Sequence, residues 1–170
     1  CYNTCMRERF LAAFTIVELL IVIAVLIILS SVAITQYNGY KQRANNTNVQ
    51  TDLTKFAEAI NVYYSDNAVY PANSAALTTL TAVKFTKASY MTSGNAVLYC
   101  VASSGGQTMA LLGKSSSGTT YYVLNDERVK TYTAGTFPNA TPANNCTDVG
   151  VASATTVWVH STASGWLSNV

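Results

Sequence analysis

The stretch FTIVELLIVIAVLIILSSVAITQY, residues 14 to 37, constrains this chain more than any other feature. From Leu19 to Tyr40 it carries no charged side chain. At about 1.5 Å per residue, a helix of that length crosses a hydrocarbon core of roughly 30 Å. Glu18 sits just inside the N-terminal end, four residues after Phe14. An ionised carboxylate without a partner is costly there. The stretch therefore predicts one helix that meets lipid and carries one acidic group in need of a counter-charge.

The remainder of the 170 residues suffices for one compact domain and hardly two. Charged residues make up 11% of the chain and the formal net charge is +2. That balance gives no electrostatic footprint for duplex nucleic acid. The second half is rich in Ser, Thr, Ala, Asn and Gly with Tyr and Val interleaved, which suits short strands joined by polar loops outside the cytoplasm. Cys1 and Cys5 precede Met6, which with Arg7, Glu8 and Arg9 reads as an ordinary start, so residues 1 to 5 receive no structural role. Cys100 and Cys146 form a lone pair in the polar half, most simply one disulfide. The alternative is two free buried thiols. Metal binding is disfavoured because neither has a second Cys or His at ligand spacing.

Residues 6 to 13, MRERFLAA, carry two arginines against one glutamate and read as a cytoplasmic leader. The small residues Ala12 and Ala13 precede the apolar run, so cleavage there leaves the anchor on the mature protein. Ala13-Phe14-Thr15-Ile16-Val17-Glu18-Leu19-Leu20 resembles the processing and assembly motif of type IV pilins and type II secretion pseudopilins. The resemblance implies cleavage between Ala13 and Phe14 by a prepilin peptidase, methylation of the new amino terminus at Phe14, and assembly through Thr15 and Glu18. It also implies that the Glu18 carboxylate meets the amino terminus of an adjacent subunit and sets the register of a helical filament. Pairing the two charges offsets part of their cost in low dielectric. Ala13 departs from the glycine usual in that family, so the peptidase has to accept a methyl group.

Beyond the apolar run, Gly39 is a soft point in the helix, and Lys41 and Arg43 mark exit into water. Val49, Leu53, Phe56, Ile60 and Tyr63 then recur at spacings of four, three, four and three, with Asp52, Lys55 and Glu58 off that stripe. One helix of about 50 residues, roughly 75 to 80 Å long, is expected. It ends near Ser65-Asp66-Asn67, because Pro71 biases Tyr70 to an extended conformation. Tyr63-Tyr64 and Asn67-Ala68-Val69-Tyr70-Pro71 again resemble the pilin pattern, with Ala68 where that family usually has Gly.

A short helix is expected at Ala75-Ala76-Leu77 and Leu80, followed by strands at residues 96 to 102, 108 to 112, 120 to 124 and 128 to 132. Gly105-Gly106 and Ser117-Gly118 predict hairpins of an antiparallel sheet. One face of that sheet has to cover the stripe on the helix. The fold class is thus α+β and pilin-like: a long N-terminal helix packed on a small antiparallel sheet. The chain divides into a leader at 1 to 13, a transmembrane and filament-core helix at 14 to 38, its amphipathic half at 39 to 66, a connecting loop at 67 to 95, a sheet at 96 to 134 and a disulfide-stapled C-terminal region at 135 to 170. The last region holds Trp158 and Trp166, read as packing residues, and is the candidate for partner specificity.

No catalytic signature emerges. His160 is the single histidine, with no acidic residue following it. Phosphate-cradling glycine loops and zinc spacings are missing. Asp126, Glu127 and Asp148 with Asn144 or Asn145 lack the spacing of a calcium loop. Lys84, Lys87, Lys114, Arg128 and Lys130 read as solvated charges rather than a DNA-capture patch. No cofactor or metal is expected.

The resemblance implies a pilus subunit that is first a single-pass inner-membrane precursor and then part of an extracellular fibre for adhesion, motility or DNA uptake. Its implied partners are copies of itself, the peptidase, the pilus assembly platform and minor pilins. A pseudopilin of a type II secretion system is the alternative within the superfamily. A signal-anchored monomer that binds a ligand is the alternative outside it.

Overall fold

The computed structural model describes residues 14–80, 83–103 and 107–167. The expected leader and the Gly105-Gly106 turn lie outside the described residues. The first element, α1, spans Ile16–Asn67. The chain forms two compact units that meet in sequence at Gly39 and Tyr40.

The first unit contains the apolar half of α1. Among the described residues its large side chains are exposed: Phe14 is 82% exposed, and even Val22 and Ile23 remain about half exposed. A helix that is apolar all round needs either lipid or other protein against it.

In the second unit the predicted stripe is the floor of the core. Val49, Leu53, Phe56 and Ile60 are all fully buried, each contributing about 1.5–3 kcal/mol of burial. Asp52, expected to fall off the stripe, is buried as well, with 4% exposure. The reason is geometric. It lies three residues after Val49 and four before Phe56, hence on the flank of the same face. Its carboxylate accepts the Thr86 N–H at 2.6 Å and the Thr86 hydroxyl at 3.3 Å. Burial raises its pKa, while the bonds from Thr86 oppose that rise. Asp52 thereby ties α1 to the start of a 3-10 turn at Lys87–Ser89.

The helix stops at Ala68, whose φ of 58° is the left-handed conformation; its N–H donates to the Tyr64 carbonyl at 2.7 Å. A glycine takes this cap position without the clash of a Cβ. Ala68→Gly is therefore expected to stabilise the domain by about 0.5–1 kcal/mol, the αL relief less the added freedom of the unfolded chain. Urea midpoints of the two proteins measure the difference, and a lower midpoint for the glycine variant contradicts the argument. After the turn, α2 at Ser74–Thr78 is capped by Asn73, whose side chain accepts the Ala76 N–H, and it buries Leu77 completely.

The described strands are β1 Val97–Ala102, β2 Met109–Lys114, β3 Thr120–Leu124, β4 Lys130–Thr131, β5 Ala154–Ser161 and β6 Gly165–Trp166. They form one sheet in the order β4-β3-β2-β1-β5-β6, and each neighbouring pair is antiparallel. The first three strands lie within two residues of their expected bounds; β1 and β3 carry β-branched and aromatic runs, whereas β2 is Met-Ala-Leu-Leu-Gly-Lys. The fourth shrinks to two residues. The sheet also continues past residue 134, because β5 pairs along β1 from Val97 to Ala102.

Both faces of the sheet centre are buried, as the strand alternation dictates. Val97, Tyr99, Val101, Met109 and Leu111 meet the α1 stripe. Gly113 permits the close approach, since a Cβ there lies only 3.2 Å from a Leu53 methyl. Leu98, Cys100, Ala110 and Leu112 point the other way. They are covered by α3, Pro142–Asp148, together with Phe137, Val149 and Val151.

Candidate functional site

The N-terminal end of α1 is built by its own sequence. Thr15 Oγ1 accepts the Glu18 backbone N–H at 3.2 Å, and Thr15-x-x-Glu18 has the spacing of a capping box. Glu18 is the acidic residue of the first turn, where the helix dipole favours negative charge. Phe14 is exposed immediately before it. Ala13, the other residue of the expected cleavage pair, lies outside the described residues.

Further along, Ser30 donates to the Leu26 carbonyl at 2.6 Å and Ser31 to the Ile28 carbonyl at 2.8 Å. These hydroxyls are satisfied within the helix, as a segment facing hydrocarbon requires. The Glu18 carboxylate is different. Among the described residues it has no hydrogen-bond or ion-pair partner. Around it, Ile16, Val17, Leu19 and Leu20 are 58–85% exposed. Among its described residues the unit therefore presents a largely apolar surface with Glu18 as its one acid. Among the described residues, α1 is the helix long and apolar enough to cross a membrane.

The remaining sequence candidates belong to the second unit, and the structure assigns most of them packing roles. Cys100 and Cys146 are joined, with a Cα–Cα distance of 5.7 Å, and both are fully buried. The bridge links the middle of β1 to α3. Trp166 packs on Phe85 and Tyr90, Trp158 on Phe137, so both tryptophans are wedged against the two core clusters. The His160 ring lies against Trp166, with ring centres 4.7 Å apart and planes tilted by 45°. Burial, then Lys87, hold its pKa below the ordinary 6.5. The Tyr90 hydroxyl is buried without a well-formed hydrogen bond. Burial and the neighbouring Asp52 charge push its pKa up.

Two of the acidic residues considered for calcium, Asp148 and Glu127, are engaged otherwise. Asp148 accepts the Tyr132 hydroxyl at 2.6 Å. Asn145 is fully buried, donates to Tyr132 and to the Thr136 carbonyl, and accepts the Asn139 N–H. Glu127 pairs with Lys130. Among the lysines, Lys114 donates to the Phe137 carbonyl at 2.7 Å and Lys87 lies 5.5 Å from the Trp166 ring centre. The sequence reading missed the buried Asp52 and the Asn145 hub. The signal for Asp52 was its helical phase; for Asn145 no local pattern existed, because its partners come from a folded loop.

An exposed apolar helix that continues as the amphipathic floor of a sheet-covered domain defines a class of protein, the subunit whose N-terminal helix finds its packing outside its own chain. No protein-family model matches the chain. The type IV wide pilus major component PilA4 of Thermus thermophilus is 33% identical over 125 residues, which cover 72% of this chain and 89% of that protein. Type II secretion system core protein G of Vibrio cholerae is 33% identical over 75 residues, 44% of this chain and 50% of the relative. Fimbrial protein EcpC of Eikenella corrodens is 35% identical over 71 residues, 42% of this chain and 46% of the relative. The chain belongs to the type IV pilin and pseudopilin superfamily.

Proposed function

We propose that the chain is the precursor of a type IV pilin that is cut between Ala13 and Phe14 by a prepilin peptidase and methylated at Phe14. It then polymerises from the inner membrane into a surface fibre. The observation that carries this reading is the Glu18 carboxylate, without a partner among the described residues, at the head of a wholly exposed apolar helix. A new ammonium at Phe14 of a neighbouring copy supplies the missing counter-charge, and neighbouring helices supply the packing. Assembly platform and minor pilins are the partners this process calls on, and adhesion, motility or DNA uptake are the tasks such a fibre serves.

The pseudopilin reading is favoured by the core protein G relatives, which match about half their own length. The pilus reading is favoured by the relative matched over 89% of its length, a major pilus component. Intact mass and N-terminal peptide analysis of fibres sheared from cells tests the proposal. The expected subunit begins at a methylated Phe14 and lacks residues 1 to 13. A subunit with any other start, or cells that carry the mature protein without long fibres, removes the pilin reading.

A further inference from the structure

Residues 40 to 44 of α1 lie in the second unit, yet each of their side chains is exposed. Contact with the domain begins at Asn45, Asn46 and Asn48, all half-buried, and the first apolar anchor is Val49. Asn45-Asn46-Thr47-Asn48 is a poor place for a helix to be held by its own sequence. Asparagine and threonine are weak helix formers, and asparagine competes for backbone bonds in other conformations. A helix without a packed face is marginal in water.

Three side-chain bonds to distant segments act against that weakness. Asn45 Nδ2 donates to Ser116 Oγ at 2.7 Å, the Ser117 hydroxyl donates to Asn46 Oδ1, and Asn48 Nδ2 donates to Ser89 Oγ at 2.9 Å. The serine turn between β2 and β3 is itself fixed. Ser115 is fully buried, the Ser116 N–H donates to the Ser89 carbonyl at 2.8 Å, and the Gly118 N–H donates to Ser115 O at 2.9 Å. Gly118 closes the turn with a φ of 95°. The asparagines that weaken the helix are therefore the residues that fasten it.

We propose that the turn at residues 115 to 117, with Ser89, is a clasp that fixes where the domain stops holding α1. Helix opening on the N-terminal side of this unit ends at Asn45. Local opening free energies follow buried contacts and protected hydrogen bonds. Residues 40 to 44 have no such tertiary support; residues from Val49 onward have the core. The clasp converts a gradual fray into a boundary. Its consequence in a fibre rests on the proposed pilin role: tension draws out helix before Asn45 and leaves the sheet-covered domain intact.

Hydrogen exchange read by mass spectrometry on the full chain in detergent micelles tests the clasp without requiring fibres. In the unsubstituted protein, amides at 40 to 44 exchange at least about tenfold faster than those at 53 to 60. Ser116→Ala with Ser117→Ala leaves the sequence of α1, and so its helix propensity, unchanged. Loss of the two hydrogen bonds to α1, together with those between the Ser117 hydroxyl and Thr119 within the turn, is expected to speed exchange at 45 to 48 by about tenfold or more, with 53 to 60 unaffected. Ser89→Ala removes the third bond from a separate segment and is expected to speed exchange near Asn48 about fivefold. It serves if the double variant does not fold. Equal protection of 40 to 44 and 53 to 60, or unchanged exchange at 45 to 48 in the folded variants, overturns the proposal. Absence of fibres in cells bears on the pilin reading alone.

Discussion

Replacing Glu18 with glutamine is expected to leave the chain folded and membrane-inserted while lowering fibre assembly by at least about 100-fold. Two roles compete for this residue. Its backbone N–H donates to Thr15 Oγ1 and so supports the first turn of α1. Glutamine fills that role nearly as well. As a charge it has no partner among the described residues, and its proposed role is to pair with the amino terminus of a neighbour in the fibre. Glutamine does not fill that role. Breaking a buried ion pair by removing one side costs about 3–5 kcal/mol, because the other charge stays buried and unpaired. About 2.8 kcal/mol already amounts to 100-fold. The amount of subunit in sheared fibres, compared with the amount in membranes, measures the effect. Circular dichroism of the purified subunit checks the fold. Fibres at the unsubstituted level from the glutamine variant mean that the charge-pairing account is wrong. Thr15→Ala is the complementary control. It costs about 1 kcal/mol of helix capping and leaves the carboxylate in place, so assembly falls far less.

The elements readable from sequence were those in which local pattern and tertiary use agree. The stripe from Val49 to Ile60 has helical spacing and lies on the core, and the runs around Tyr99 and Tyr122 have strand composition and lie in the sheet. The misreadings arose where charge or irregularity hid the pattern. Asp52 falls off the apolar stripe in the sequence pattern, although its helical phase places it on the core flank; Thr86, which makes burial tolerable, is 34 residues away. Strand β5 has a β-branched and aromatic sequence, Thr155-Thr156-Val157-Trp158-Val159, yet it was absorbed into an irregular tail because two prolines and a cysteine precede it. Its pairing with β1 is long-range, and no local feature names the partner strand. The consequence for the site is direct. The C-terminal region is not a loop stapled beside the sheet but part of the sheet, with α3 laid over the face that Leu98 and Cys100 present.

That placement makes the disulfide the second large effect. Cys100→Ala with Cys146→Ala is expected to destabilise the domain by about 4 kcal/mol, the loop-closure entropy of a 46-residue separation in the chain-entropy model. Domains of this size are stable by about 5–15 kcal/mol, so the loss is a large fraction of the total. Its effect is not uniform over the unit. The face of β1 toward α1 keeps Val97, Tyr99 and Val101 packed on the stripe. The opposite face depends on α3, whose remaining ties are the Asn145 bonds, the Tyr132 to Asp148 bond and the burial of Val149 and Val151. Residues 135 to 151 therefore lose hydrogen-exchange protection first, while α1 from Val49 to Ile60 retains it. Alanine is the informative substitution, since serine leaves a buried hydroxyl unsatisfied and adds its own cost. Urea midpoints under oxidising conditions measure the destabilisation. A change below about 1 kcal/mol means that the unfolded chain already holds these segments together, and loss of α1 protection before that of α3 means that the bridge supports the helix side of the sheet instead.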